Sequence, residues 1–161
     1  LADVRSKRKL DGFDEHEHVG EEHGQLGLRR SPLGAPMATS RFPITFEPGY
    51  AALSRALFIA PADSYVEIDD GTVSVRMAWA FRATFARSAV KGTSPLGKRV
   101  PLTRGVHGWS GRWLVNGAGD GILVVNLEPR QRGYVMGFPV KLRELLVSVD
   151  DPAALAEALT A

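Results

Sequence analysis

Between Val73 and Phe85 the odd positions read Val73, Val75, Met77, Trp79, Phe81, Ala83 and Phe85, all apolar. The even positions carry Thr72, Ser74, Arg76, Arg82 and Thr84, with the small Ala78 and Ala80 between them. Period-two alternation over this length is the pattern of extended chain with one face on a core. It predicts one long bent strand, or two strands meeting at 78–80. Upstream, "SYVEIDDGTV" sets a β-prone run against Asp69, Asp70 and Gly71, where glycine supplies the positive φ of a tight turn, so a hairpin is expected there.

Further along, "RWLVN" and "ILVVNL" are β-prone runs separated by the breaker cluster "GAGDG", a pattern that reads as a second hairpin, its second strand ended by Glu128 and Pro129. "RGYVMGF" predicts another strand, ended near Pro139, and "LRELLVSV" forms a last strand or leads into one. Helical spacing occurs twice. Leu53 and Leu57 in "GYAALSRALFI" predict a short helix. Asp150, Asp151 and Pro152 supply a cap-like acid and a first-turn proline for "PAALAEALTA", whose Leu155 and Leu159 share one face. The expected fold is mainly β (α+β): a small antiparallel barrel or sandwich of about seven strands with a C-terminal capping helix.

Residues 1–36 differ in kind. They are polar and charged, with no apolar periodicity long enough to bury, and read as a disordered tail. Met37, followed by Ala38, Thr39 and Ser40, has the look of a natural start, so the native protein is expected to begin there and residues 37–161 to form the one β domain. Within the tail, His16, His18 and His23 lie among carboxylates, but the spacing does not match a metalloprotease helix. A solvated mixed-charge segment is the better reading, and no metal is expected.

The chain has 161 residues, 44% hydrophobic and 24% charged, which suits one globular domain. A net charge of +2 is not the footprint of a dedicated nucleic-acid binder. With no cysteine, disulfides, thiolate-bound metals and thiol nucleophiles drop out. Neither a secretory signal nor a membrane-spanning run is present, and a cytoplasmic location is expected.

Residues 107–121, "HGWSGRWLVNGAGDG", concentrate the candidate chemistry. Gly117, Gly119 and Gly121 lack the spacing of a dinucleotide fingerprint, and no helix follows them, so a hairpin is favoured over a phosphate cradle. Trp79 and Trp113 fall on apolar-facing runs and read as core. Trp109, among glycines, either plugs one end of the barrel or stays available to a partner. His107, the sole histidine outside the tail, has Asp120 and Asp63 as carboxylates of suitable local character, but nothing fixes either beside it. Its plainer role is a hydrogen bond to its own loop backbone. The loop "KGTSPLGKRVPLTR", with Lys91, Lys98, Arg99 and Arg104 and with Arg112 nearby, can hold an anion or serve as a solvated connection. Nucleic acid is not expected, because along the chain the basic residues are not interleaved with aromatics that stack on bases.

The order of elements, with "VSVRMAWAFRATF", "GRWLVNGAGDGILVVNL" and a closing "DPAALAEAL", resembles a bacterial pleckstrin-homology-like domain. "GVHGWSGRWLVNG" and "GFPVKLRELLVSVDDP" are similar to uncharacterised actinobacterial proteins of that kind. The resemblance spans roughly Phe42 to Leu159. It implies a barrel with a capping helix and, in eukaryotic members, inositol-phosphate or peptide binding through a basic loop after the first strand. Here the basic loop falls after a later strand. The expected function is a non-enzymatic binding or protein-interaction module with an unknown protein or small anionic partner and no cofactor. The alternative is a small enzyme or anion-binding protein with a site at the barrel mouth, built from His107, Trp109, Arg112, Lys98 and Arg99. No catalytic residue is assigned, and a homodimer stays open.

Overall fold

The computed structural model describes residues 39–101 and 103–161. The tail, with His16, His18, His23 and the start at Met37, lies outside the described residues.

Strands β1 (Ser40–Pro43), β2 (Ser64–Asp69), β3 (Thr72–Met77) and β4 (Phe81–Ala86) form an antiparallel meander. The alternation between Val73 and Phe85 resolves into two strands. Val73, Val75, Met77, Phe81, Ala83 and Phe85 are all buried. Trp79 breaks the series: it occupies the turn between the strands and is 54% exposed, so it is not a core residue. Between β1 and β2, helix α1 (Pro48–Ala56) forms as expected, but it turns Leu53 and Leu57 to solvent and buries Ser54.

Four more strands follow, β5 (Val90–Pro95), β6 (Gly105–Trp109), β7 (Arg112–Asn116) and β8 (Ile122–Val135), and then β9 (Phe138–Ser148), for nine among the described residues. Strand order is β1-β2-β3-β4-β8-β9-β7-β6, with β5 also paired to β8. β8 does not end at Glu128–Pro129. Its register slips between Asn126 and Gln131, where a proline without an N–H is tolerated, and pairing then resumes. Its first half pairs β5 and its second half pairs β4 along the same edge. Pro139 likewise lies inside β9 instead of closing a strand.

The glycine cluster 117–121 is not a hairpin turn. β7 pairs β9 in parallel, so β9 separates it from β8. A strand has two edges, and both edges of β8 are taken, one by β4 and β5 and the other by β9. The β8–β9 pairing is fixed locally by a two-residue turn, Met136–Gly137, with φ of 48° and 86°. Asp70–Gly71 and Ser110–Gly111 make the same turn between β2 and β3 and between β6 and β7, with both residues at positive φ, the conformation that suits the strand twist.

The expected barrel is not closed; the described part is a mainly β fold with a C-terminal helix. Isolated bridges from Ile44 to Val149 and from Phe46 to Gly117 carry the chain after β1 across the ends of β9 and β7. Helix α2 (Pro152–Thr160) starts as expected, with Asp151 accepting a 2.9 Å hydrogen bond from the Ala154 N–H and Pro152 in the first turn. It presses buried Leu155 and Leu159 into a core that includes Met77, Phe81, Leu142 and Leu145. On the opposite face of β8 and β9, Ile122, Val124 and Leu146 make a second, small cluster under Leu96, Val100 and Leu114. That end of the sheet is therefore covered on both sides, whereas among the described residues the outer face of β2, β3 and β4 bears no such apolar cluster. Among the described residues no helix is long and apolar enough to cross a membrane.

Candidate functional site

Because the odd positions of β3 and β4 are buried, Arg76 and Arg82 stand on the outer face. The register makes them direct cross-strand neighbours and extends the row on both sides, Tyr65 opposite Arg76 and Tyr134 opposite Arg82. Arg41 stacks on the Tyr65 ring at 3.6 Å from its centroid, and Arg82 lies 4.8 Å from that of Tyr134. Each distance is that of a cation–π contact.

This row floors a depression of about 500 Å³ to which Trp79 contributes one wall, its indole N–H bonded to the Leu57 carbonyl at 3.1 Å. Arg82 and Tyr134 also line a smaller hollow with Thr84 and Arg132. Tyr134 and Arg132 continue into a third with Arg130 and Lys141. The same basic and aromatic residues thus connect all three. Among the described residues the ion pairs are Glu47–Arg99, Glu47–Arg104 and Arg112–Glu144, so none neutralises Arg76, Arg82, Arg130, Arg132 or Lys141. Glu67 and Asp69, one and two pairs further along β2 toward its turn, are the acids of this face.

The residues singled out in the sequence fall elsewhere. Trp109, 86% exposed, closes β6 directly opposite Arg112, and Arg112 pairs with Glu144 at 3.3 Å. His107 shares their face, its Nε2 2.7 Å from the Arg104 carbonyl, so that nitrogen donates to backbone. Lys98 is exposed, and Arg99 turns to Glu47. Trp113 is half-buried against the core, with its N–H on the Lys141 carbonyl.

The glycine cluster does receive an anion, but one from its own chain. Glu47 Oε1 accepts from Arg104 at 2.7 Å, Arg99 at 2.9 Å and the Gly119 N–H at 3.2 Å. The Arg104 hydrogen bond, then those of Arg99 and Gly119, lower the Glu47 carboxyl to a pKa of about 2. A Cβ at Gly117 would meet the Thr45 carbonyl at 2.5 Å, and one at Gly119 the Val100 carbonyl at 2.7 Å. These glycines let neighbouring segments approach, while Arg104 also bonds the carbonyls of Val100 and Thr103 and stiffens the loop.

Sequence reading missed the sheet-face residues Arg41, Tyr65, Arg76, Arg82, Arg132, Tyr134 and Lys141. The one available signal was the pair of arginines at even positions of the strongest alternation. The absence of basic–aromatic interleaving holds along the chain but not in space, where strand pairing alternates Tyr65, Arg76, Arg82 and Tyr134. Compared with family models, with curated proteins and with solved structures, the chain has no match.

Proposed function

We propose that this chain is a non-enzymatic binding module that takes an anionic ligand on the outer face of β2, β3, β4 and the second half of β8. The observation that carries the reading is the directly opposed pair Arg76 and Arg82, with no acid paired to either among the described residues. Like charges facing each other across a sheet destabilise it. An anion seated between two guanidiniums removes that repulsion and gains charge-assisted hydrogen bonds. The mainly β order with a closing helix is compatible with a relationship to pleckstrin-homology-like proteins, although the ligand face argued for is a sheet surface and not a loop. A site around His107 has less support, since Arg99 and Arg112 are paired to carboxylates and His107 to backbone.

The test combines stability with binding. Without ligand, Arg82→Gln is expected to leave the melting temperature unchanged or raise it. In heteronuclear NMR titrations with inorganic pyrophosphate, the wild type should show shifts centred on Arg76, Arg82 and Tyr134 that the variant loses. Shifts centred instead on His107 and Arg112 would move the site to the other end of the sheet.

A further inference from the structure

Resting on the anion-binding reading, we infer that the ligand is a single-stranded nucleic acid laid across the strands of this face. The cations do not converge on a point as they would around one phosphate. They form a track: Arg76 and Arg82 side by side, then Arg132, Arg130 and Lys141 along the connected hollows. A track of separated cations suits a repeating anion.

Aromatic rings bracket the track. Tyr65 and Tyr134 lie at the two ends of the Arg76–Arg82 row, and exposed Trp79 walls the same depression. With three strand spacings between them, the two tyrosines are about 14 Å apart. That distance admits about four nucleotides at the roughly 3.4 Å rise of a stacked strand. Aromatic faces and guanidinium planes are both surfaces on which unpaired bases stack, and here Arg41 and Arg82 offer planar guanidiniums over the tyrosine rings. Simple polyanions make no use of the rings. A duplex hides its base faces in the stack, so the rings of this face would have no base to stack on. The next pair on this face beside the arginines is Ser74 and Thr84, whose hydroxyls lie 3.5 Å apart, and such small hydroxyls do little to select one base over another. Glu67 and Asp69 border the track on the β2 side and repel a phosphate chain, which directs it from Trp79 past Arg82 toward Arg132 and Lys141.

The experiment uses the full chain and four probes: a fluorescent twelve-nucleotide oligothymidylate, a duplex of the same length, inorganic polyphosphate of similar charge, and phosphatidylserine-containing vesicles. The oligonucleotide should bind with a slope of log K against log salt of about −3, as expected for contacts from Arg76, Arg82, Arg132 and Lys141. Trp79→Ala should weaken it about tenfold, the loss of roughly one stacked base, while leaving polyphosphate binding unchanged, and Tyr134→Ala should weaken the oligonucleotide by more than it weakens polyphosphate. Arg82→Gln should weaken both, and circular dichroism checks that each surface variant stays folded. Polyphosphate binding without oligonucleotide binding, or oligonucleotide binding indifferent to Tyr134 and Trp79, overturns the nucleic-acid inference and leaves the anion module standing. If neither polyanion binds, both readings fall. Vesicle binding that depends on Arg82, without oligonucleotide binding, overturns it in favour of a lipid surface, and equal affinity for a duplex overturns the single-strand assignment.

Discussion

Asn116 ends β7 with no solvent exposure, and its side-chain amide donates to the carbonyls of Thr103 at 2.9 Å and Ala118 at 2.7 Å, while Oδ1 is buried without a partner. The amide thereby ties the segment before β6 to the glycine loop. Asn116→Ala removes two neutral hydrogen bonds and takes from the Ala118 carbonyl its side-chain donor, whereas the Thr103 carbonyl keeps Arg104. At about 1 kcal/mol per net bond plus part of the penalty for unsatisfied groups, the loss is about 2–4 kcal/mol. Asn116→Asp is closer in shape yet replaces the donating amide by a carboxylate aimed at two carbonyl oxygens. An uncompensated buried charge costs about 3–5 kcal/mol, so the isosteric variant is expected to be the less stable of the two at pH 7. Burial and facing carbonyls disfavour the charged form, which places the introduced carboxyl's folded pKa above its unfolded value. Its destabilisation is therefore complete above the folded pKa and shrinks as pH falls toward the unfolded one, where the protonated carboxyl can again donate. Urea unfolding followed by tryptophan fluorescence at pH 7 and pH 5 measures both points. An aspartate variant more stable than the alanine variant at pH 7, or a gap that widens on acidification, would refute the donor-based account.

Two further predictions concern the frame of the fold. Leu155→Ala should empty the contact that seats α2 on the core, lowering stability by about 3–5 kcal/mol and the melting temperature by about 10–20 °C in calorimetry; a shift below about 4 °C would mean that the helix does not seal the core. Glu47 has a depressed carboxyl, so its contribution is present above the ordinary value of 4.5 and is lost as pH falls through about 2. Glu47→Gln should flatten the acid limb of the pH–stability curve over that window, and an unchanged limb would remove Glu47 from the hub of Arg99, Arg104 and Gly119.

Much of the frame was legible because it is local. The alternation between Val73 and Phe85 names the buried faces of β3 and β4, Asp70–Gly71 fixes the first hairpin, and Asp151–Pro152 starts α2, each through neighbours a few residues apart. Trp79 escaped the pattern because a turn interrupts the alternation at that residue and rotates the indole to solvent. The glycine cluster misled for a different reason. Glycines favour turns, but they also permit close approach, and which of the two operates depends on the partner strand that β7 finds.

The composition and period of the chain determined, by themselves, a mainly β domain closed by a helix, because burial of one face is written at a spacing of two along each strand. Only the tertiary structure decided that β8 spends both its edges, that β7 must pair with β9, and that the sheet stays open. It alone assembled the candidate site. Tyr65, Arg76, Arg82 and Tyr134 lie on four strands, and no interval along the chain makes them neighbours. Cross-strand register does, since hydrogen bonding between backbones brings distant residues to about 5 Å spacing without any signal in the sequence between them.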